Sequence, residues 1–343
     1  MKHSKIITKK ILLYYKYNKR DLPWRTKEDN NQNPYFTLIS EIMLQQTQVK
    51  TAISYYEKFI KKWPNVDSLS KANLDEVLTM WSGLGYYNRA KNLLNTAKLI
   101  KNKYNGLIPD KKHILLTLPG IGEYTSAAIL SFSFGEYAIA MDTNIKRFIS
   151  RIFGSEINIK KNEKDFYALA SKVFPKTNSG KFAQAIMDFS SDICKKRKPD
   201  CIRCFLSSYC KYDEKNEKNE KKVNLKKKFS VVLFYFHKNQ FFLKKRAVHK
   251  LLGGLYEVPG LEWTDNTWPK IPKKFYGSEV LPKVLKYKFS HIELKTKIIS
   301  INILNKNLKK NGIWIKKQEL EKIPVSSLTK KIINYSIKFK KLY

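Results

Sequence analysis

The sequence has 343 residues and is 43% hydrophobic, which is long enough for two domains and too apolar for a disordered chain. Its 67 basic and 29 acidic residues give a net charge of +38, which favours a nucleic-acid partner, although part of the excess accompanies a general abundance of Lys, Asn and Ile. Uncharged apolar runs are too short for a membrane span or a signal peptide, so we expect a cytoplasmic protein.

The first part of the chain, residues 8–212, has the hydrophobic periodicity of a helical domain. Leu38 and Ile42, for example, are spaced so that they share one face of a helix. Gly- and Pro-containing turns, such as Asn105-Gly106, separate the helical segments. Further helices are predicted at 69–81, 88–104, 123–134, 143–153 and 162–174.

A carboxyl group stands within an apolar segment early in this domain. In YFTLISEIMLQQTQV (35–49), Phe, Leu, Ile and Met side chains surround Glu41. A carboxyl in such surroundings tends to keep its proton, which suits a general acid at neutral pH. The alternative is that Glu41 lies on the wet edge of an amphipathic helix, because Thr37 and Gln45 share its face.

A tight turn between two helices follows in LPGIGEYTSAAIL (118–130). Gly120 and Gly122 lack side chains, so a phosphate can approach the backbone closely. The helix from Glu123 directs its free N–H groups and its positive end toward such a phosphate. A PGxG turn alone is more often an ordinary loop, so its meaning depends on the motifs that follow it.

Asp142 is the next chemically suggestive residue. In AIAMDTNIKRF it stands between an apolar run and a helical segment. An Asp at this position can cap the helix by accepting backbone hydrogen bonds. It can also stabilise positive charge that develops on a substrate. The residues alone leave both roles open.

The four cysteines of the chain lie together and have the spacing C-x6-C-x2-C-x5-C. A secreted scaffold would scatter its cysteines, whereas a cluster in an otherwise cysteine-free chain indicates a metal site. Four thiolates suit either a cubane iron–sulfur cluster or one zinc ion, but a zinc ribbon usually has two CxxC pairs. Basic side chains beside these cysteines are candidates for phosphate contacts: Lys195, Lys196, Arg197, Lys198 and Arg203.

After the cysteines the pattern of the sequence changes. Residues 213–228 are charged and low in complexity, which is typical of a solvated linker. Residues 229–343 then read as an α+β domain. Its predicted strands are 229–236, 240–246 and 295–304, and its predicted helices are 316–322 and 328–340.

Together these motifs resemble the MutY family of adenine glycosylases, within the endonuclease III superfamily. SEIMLQQTQV (40–49) is very similar to the family signature. LPWR (22–25), GLGYY (83–87), the hairpin, Asp142 with Asn144 and the four cysteines follow in family order. The resemblance covers nearly all of residues 1–212. It implies an all-α helix-hairpin-helix glycosylase domain with one 4Fe–4S cluster held by Cys194, Cys201, Cys204 and Cys210.

The resemblance also implies roles for the matched residues. Glu41 protonates N7 of adenine, and Asp142 stabilises the sugar cation with support from Tyr124 and Asn144. Bifunctional relatives carry a Lys where this chain has Tyr124, so no Schiff base is expected. Thr143 replaces the usual Gly, which leaves the local backbone geometry in question. The implied DNA contacts are Arg25 and Gln184 at the adenine pocket, Gln46 and Tyr86 entering the duplex, and Gly120 and Gly122 at the hairpin.

The second domain resembles Nudix proteins. LLGGLYEVPG (251–260) is similar to the segment before the nucleotide-hydrolase box, but no REXXEE-like run follows Gly260, so we expect a catalytically silent relative. Phe289, Ser290 and His291 match a family loop that recognises oxidised guanine. The alternative is that this short motif only packs at a strand end.

The expected function is therefore excision of adenine mispaired with 8-oxoguanine or guanine, in double-stranded DNA, by a monomer that is nucleoid-associated if bacterial. Base flipping precedes cleavage, and the reaction then ends by direct hydrolysis or through a transient adduct with Asp142. Two alternatives remain at this stage: a bifunctional pyrimidine glycosylase with lyase activity, and a non-catalytic iron–sulfur DNA-binding protein.

Overall fold

The computed structural model describes residues 2–25, 32–154, 163–213, 224–304 and 312–342. The chain forms two compact units. The helical unit comprises Met1–Lys71 and Asn92–Asn219, and the sheet unit comprises Ala72–Lys91 and Glu220–Tyr343. Most of the expected linker, residues 214–223, lies outside the described residues. No described helix combines the length and apolar composition that crossing a bilayer requires.

Helices account for most of the first 213 residues, and α5 and α12 belong to the sheet unit. In chain order the helices are α1 (Lys2–Asn18), α2 (Pro34–Leu44), α3 (Val49–Lys62), α4 (Val66–Ser70), α5 (Leu74–Met80), α6 (Asn88–Tyr104), α7 (Lys112–Leu115), α8 (Glu123–Ser133), α9 (Thr143–Phe153), α10 (Glu163–Val173), α11 (Ser179–Asp192) and α12 (Ser327–Lys340). Most predicted helices are confirmed to within a few residues.

Two predicted helices differ from the structure. The single helix predicted at 69–81 is wrong, because α4 ends at Ser70 and α5 starts at Leu74, with three residues between them. Asn73 separates them: its side chain accepts from the Glu76 N–H, and Glu76 accepts from the Asn73 N–H, which is a capping box that starts a new helix. The helix predicted at 316–322 is a 3₁₀ helix, Lys317–Lys322.

Phenylalanines fill the core of the helical unit. Phe148, Phe166, Phe182 and Phe189 come from α9, α10 and α11 and are almost completely shielded from solvent. Burying such side chains contributes about 2 kcal/mol or more each. Helix α9 carries its apolar residues on one face, so packing on this core fixes the helix and the position of its first residues.

One mixed sheet organises the sheet unit. Its described strands are β1 (Lys226–His237), β2 (Gln240–Lys245), β3 (Tyr256–Glu257), β4 (Thr264–Asp265), β5 (Glu279–Val280), β6 (Leu285–Lys288), β7 (Ile292–Asn302) and β8 (Gly312–Lys316). Strands β1 and β7 run parallel, from Lys226 opposite Ile292 to Phe236 opposite Asn302. The main predicted strands are confirmed, but β1 begins within the expected linker, at Lys226.

Alternating side chains of β1 serve two cores. Val232 and Phe234 join the cluster covered by α12, whereas Val231 and Leu233 belong to a smaller cluster that includes Ile299. Successive side chains of a strand point to opposite faces, so a continuous apolar run indicates a strand buried on both sides. The short hairpin between β6 and β7 carries the Phe289-Ser290-His291 motif at its turn.

Candidate active site and cysteine loop

Glu41 is a buried carboxyl at the interface of α2 and α8. Its side chain is 6% exposed, and the Tyr124 hydroxyl donates to Glu41 Oε2 over 2.8 Å. Burial raises the pKa of Glu41 to about 7; the Tyr124 hydrogen bond and Arg25 oppose the rise, and Asp142 adds to it. The wet-edge alternative for Glu41 is therefore wrong.

Helix α2 buries Glu41 because the helix is covered on nearly all sides. Asn33 starts it by accepting from the Tyr35 N–H, with Pro34 at the first helical position. Thr37, which shares the face of Glu41, is itself fully buried and accepts a hydrogen bond from Ser133 of α8 over 2.8 Å. Polar side chains on this face thus join two helices rather than face water.

Asp142 is the N-cap of α9. Its Oδ1 accepts from the Ile145 N–H over 2.7 Å, and its Oδ2 accepts from the Asn144 side chain over 2.6 Å. Burial raises the pKa of Asp142, and these hydrogen bonds, together with the charge of Arg147, oppose the rise. Thr143 begins the helix with an exposed side chain and without a positive φ, so this backbone does not require Gly.

Arg147 connects the Asp142 cap with the first cysteine. Its Nη2 donates to Asn144 Oδ1 over 3.0 Å, and its Nε donates to the Cys194 carbonyl over 3.1 Å. Asn144 in turn donates to Asp142. A continuous chain of hydrogen bonds therefore runs from the cysteine loop to the Asp142 carboxylate, and it fixes the orientation of Asn144.

A buried ion-pair network lies beside these carboxylates. Arg25 donates to both oxygens of Asp188 over 2.7 and 3.0 Å, and Arg20 also binds Asp188. Burial alone would raise the pKa of Asp188, but Arg25 and Arg20 outweigh it and lower the pKa. Gln184, one turn earlier on α11, accepts from the Tyr15 hydroxyl over 2.9 Å.

Sequence reasoning missed Asp188, Arg20 and Tyr15. A signal was present, because Gln184 and Asp188 are polar residues four positions apart on a helix that is otherwise largely apolar. Such a pair shares one helix face, and buried polar side chains require partners. The partners lie on the N-terminal segment, more than 160 residues away, where no local pattern indicates them.

The helix-hairpin-helix turn lies between α7 and α8. Gly120 has a φ of +79°, and a Cβ at this position would come 2.9 Å from the Asn92 Cβ, so both conformation and space require glycine. A Cβ on Gly122 would meet open space. Gly122 is the N-cap of α8 and supplies no side-chain cap, which leaves the first-turn N–H groups available to an anion.

Gln46 and Tyr86 share an uncommon backbone conformation. Gln46, in the helical unit, has a φ of +56° and an exposed side chain. Tyr86, in the sheet unit, has a φ of +47° and is 47% exposed. Positive φ is costly for such residues and concentrates at functional sites.

The four cysteines line one small cavity. Cys194, Cys201, Cys204 and Cys210 surround about 100 Å³, together with Arg151 and Tyr212. Burial raises the pKa of the Cys204 and Cys210 thiols, and the charges of neighbouring thiolates add to the rise. Within the described ranges, no three His, Cys, Asp or Glu side chains converge closely enough to hold a single metal ion.

In the sheet unit, Phe289 and its two neighbours behave differently. Phe289 is half-buried and packs against Tyr287 and Trp263, with ring centroids 4.9 and 5.7 Å apart. Ser290 and His291 are exposed, and Ser290 Oγ lies 2.9 Å from His291 Nδ1. Phe289 therefore packs at the strand end, as the alternative to a recognition role expected, whereas Ser290 and His291 are accessible.

Each of the two units matches a known protein family. Residues 39–176 match the HhH-GPD superfamily of base excision DNA repair proteins, and residues 231–335 match the NUDIX domain. Over 338 residues the chain is 39% identical to the adenine DNA glycosylase of Buchnera aphidicola subsp. Baizongia pistaciae, which covers 94% of this chain and 89% of that protein. The chain belongs to the adenine DNA glycosylase family.

Other relatives support this family assignment. The adenine DNA glycosylase of Buchnera aphidicola subsp. Schizaphis graminum is 35% identical over 344 residues and covers 96% of this chain and 98% of that protein. The solved structure of a thermostable thymine-DNA glycosylase matches with a TM-score of 0.57 at 36% identity, covering 62% of this chain and 98% of that one. Similarity to the adenine family therefore extends over much more of the chain.

Proposed function

We propose that this protein excises adenine mispaired with 8-oxoguanine or guanine from double-stranded DNA, by base flipping and acid-assisted cleavage of the N-glycosidic bond. One observation carries the proposal: Glu41 is buried, hydrogen-bonded to Tyr124, and has a pKa near 7. An undamaged purine is a poor leaving group, and a carboxyl that keeps its proton at neutral pH supplies what that departure needs.

In the proposed mechanism, Glu41 gives its proton to N7 of the flipped adenine. The C1′–N9 bond then breaks, its electron pair leaves with the base, and positive charge develops on the sugar. Asp142 stabilises this cation electrostatically. Water completes the reaction, either directly or after a transient bond to an Asp142 carboxylate oxygen.

Asn144 and Tyr124 assist the two carboxyl groups. Asn144 holds Asp142 Oδ2 while the backbone of α9 holds Oδ1, so the carboxylate cannot rotate. Tyr124 donates to Glu41 and thereby orients the acid. The phenol also occupies the position where a bifunctional relative carries an amine, which supports a monofunctional reaction without a Schiff base.

The adenine pocket includes Arg25 and Gln184. Asp188 holds the Arg25 guanidinium with two hydrogen bonds, and the Tyr15 hydroxyl holds the Gln184 oxygen. With that oxygen engaged, the Gln184 amide NH₂ is the group that can donate to a ring nitrogen of the base. Restrained side chains favour catalysis because their ordering entropy is lost on folding rather than on binding.

Three further groups of residues contact the DNA. Gly120 and Gly122 allow a phosphate to reach the N-terminus of α8. Gln46 and Tyr86 enter the duplex, and their exposed side chains on left-handed backbone support that role. Ser290 and His291 recognise the oxidised guanine, with Phe289 anchoring their turn in the core of the sheet unit.

Cys194, Cys201, Cys204 and Cys210 hold one 4Fe–4S cluster. The four thiols line one cavity, so they can act as ligands of one group. The loop has one CxxC pair where a zinc ribbon usually has two, which favours the cluster over zinc. When bound, the cluster crosslinks the loop that carries Lys195 to Lys198 and Arg203.

The domain organisation that accompanies this function is a glycosylase domain at 1–212, a linker at 213–228 whose last three residues already pair in β1, and a Nudix-like recognition domain at 229–343. The recognition domain is catalytically silent. In support, Arg246 pairs with Glu257, and no REXXEE-like run follows Gly260 in the sequence. We expect a monomer on DNA, in the cytoplasm.

The decisive experiment is base release under single-turnover conditions. Duplexes carry adenine opposite 8-oxoguanine, guanine or cytosine, and a fourth carries thymine opposite guanine. The expected result is fast adenine release opposite 8-oxoguanine, slower release opposite guanine, and little from the others. Because the thymine-DNA glycosylase also resembles the helical unit, preferential thymine release would replace the proposal.

A further inference from the structure

Arg151 of α9 is a buried arginine whose guanidinium faces the start of the cysteine loop. Its side chain is 6% exposed. Nη1 donates to the Lys195 carbonyl over 2.7 Å, and Nη2 donates to the Lys196 carbonyl over 3.2 Å. Nη1 also lies 3.4 Å from both the carbonyl oxygen and the Sγ of Cys194.

The backbone of Arg151 contacts the end of the same loop. Its carbonyl accepts from the Cys210 Sγ–H over 3.2 Å and from the Lys211 N–H over 3.0 Å. The Tyr212 ring lies over the guanidinium at 4.4 Å. One residue of α9 therefore contacts both the first and the last cysteine of the loop.

These contacts require an arginine more specifically than the pairing of a buried positive charge with any acceptor would. A planar guanidinium has five donors in a fixed fork, so it can bind successive carbonyls that a lysine cannot bridge. Carbonyl contacts alone would make Arg151 a loop cap. The donor at Cys194 Sγ adds an electrostatic effect, because a charged N–H group stabilises negative charge on sulfur.

We propose that Arg151 is a positioning residue for the metal ligands: its guanidinium holds the start of the cysteine loop and donates a charged hydrogen bond to the Cys194 thiolate. This inference rests on the proposed function, in which these thiols hold a 4Fe–4S cluster. Hydrogen bonds to cluster sulfurs raise the reduction potential, and outer partners of metal ligands govern retention.

Arg147, one turn earlier on α9, has a different task. Its side chain donates to the Cys194 and Ser190 carbonyls and to the Asn144 side chain. The two arginines thus divide one helix face, with Arg147 directed toward the Asp142 cap and Arg151 toward the thiols. Arg151 is therefore expected to change the cluster's electrochemistry through its contact with the Cys194 sulfur.

The test compares full-length wild type with Arg151→Met and Arg151→Lys, purified anaerobically with iron. Iron and sulfide per chain, the half-life of the visible absorbance under a chelator, and the reduction potential are measured. Arg151→Met should lose its cluster about tenfold faster than wild type, which is the smallest effect usually seen when an outer partner of a metal ligand is removed. Its reduction potential should be more negative. Arg151→Lys should lie between the two, because it retains the charge but not the fork.

Arg203→Met is the matched control. Arg203 lies on the same loop, is 59% exposed at its side chain, and pairs with Asp200 and Asp192. Its loss should leave retention and potential near the wild-type values. Wild-type retention and potential in Arg151→Met overturn the inference. If Arg151→Met does not fold, a wild-type potential in Arg151→Lys overturns it equally. Wild type that binds no iron contradicts the proposed cluster rather than the role of Arg151.

Discussion

The Tyr124 hydroxyl donates a 2.8 Å hydrogen bond to Glu41 Oε2, which joins the hairpin helix α8 to α2 across 83 residues of sequence. In the proposed mechanism this contact connects DNA binding with base protonation, because α8 starts at the turn proposed to bind a phosphate and carries the side chain proposed to orient the acid. A displacement of α8 relative to α2 would therefore disturb both events.

Glu41→Gln should reduce adenine excision by about 10²–10⁴-fold, because the amide keeps the shape of the side chain but has no proton to give at that position. Duplex binding should remain, since phosphate contacts do not need this proton. Single-turnover base release and a binding titration measure the two effects. Ser40→Ala, which removes a buried hydroxyl from the same helix, should keep near wild-type excision.

A base that leaves without enzymatic protonation separates the two carboxyl groups. On such a substrate Glu41→Gln should recover most of its activity, whereas Asp142→Asn should remain inactive because the charge opposite the sugar cation is gone. Near wild-type adenine excision by Glu41→Gln would show that Glu41 is not the acid.

The free energy of unfolding should depend on pH in a way that reflects the raised pKa of Glu41. Its pKa of about 7 lies above the ordinary 4.5, so the folded chain binds the proton more tightly than the unfolded chain. This contribution to the free energy of unfolding is complete below pH 4.5 and is lost as pH rises through 7. Relative to wild type, Glu41→Gln should therefore gain up to about 3 kcal/mol between pH 4.5 and pH 8.

Thermal unfolding of both proteins at several pH values measures this gain. The Tm of Glu41→Gln minus the Tm of wild type should become steadily more positive from pH 5 to pH 8. An equal margin at every pH would mean that Glu41 ionises normally in the folded protein.

Tyr124→Phe should shift the pH profile of excision. The hydroxyl lowers the pKa of Glu41 because it stabilises the ionised carboxylate, so its loss should raise that pKa. The fall in single-turnover rate at alkaline pH should then begin at a higher pH than in wild type. An unchanged midpoint, with only a lower plateau, would assign Tyr124 to orientation alone.

Asp188→Asn should destabilise the helical unit by about 3 kcal/mol, because it leaves the buried Arg25 guanidinium without a counter-charge. Excision should also fall, since Arg25 loses its fixed orientation. Asp192→Asn on the same helix is the control: its side chain is 47% exposed, so the cost should stay below about 1 kcal/mol. Equal unfolding free energies for the two variants would contradict the network.

The double variant Ser290→Ala, His291→Ala should retain adenine excision but lose preference for 8-oxoguanine over guanine by about tenfold, the scale of one or two base contacts. Both side chains are exposed, so folding should not change. Lys288→Ala on the same hairpin should weaken binding to both duplexes alike, as expected for a phosphate contact. A double variant with wild-type preference would remove this loop from recognition.

Much of the protein could be predicted from local patterns. Helical periodicity predicted α6 and α9 closely, and segments rich in β-branched and aromatic residues predicted β1 and β7, because these signals depend on neighbours within a few residues. The cysteine spacing and the glycine turn likewise indicated their sites without tertiary information. The break between α4 and α5 was missed, because the capping box at Asn73 overrides the periodicity around it.

Only the tertiary structure decided which polar residues are buried and what they contact. The face of α2 that carries Thr37 and Glu41 looks wet in the sequence, and it becomes the interior because α8 covers it. Asp188 pairs with Arg25 across 163 residues, and Arg151 contacts a loop more than forty residues away. The burial and the partners of a polar side chain depend on which distant segment packs against it in the fold. The pKa of Glu41 depends in turn on its burial. The sequence alone therefore determined the residue types available for catalysis, and the fold determined their protonation, partners and orientation.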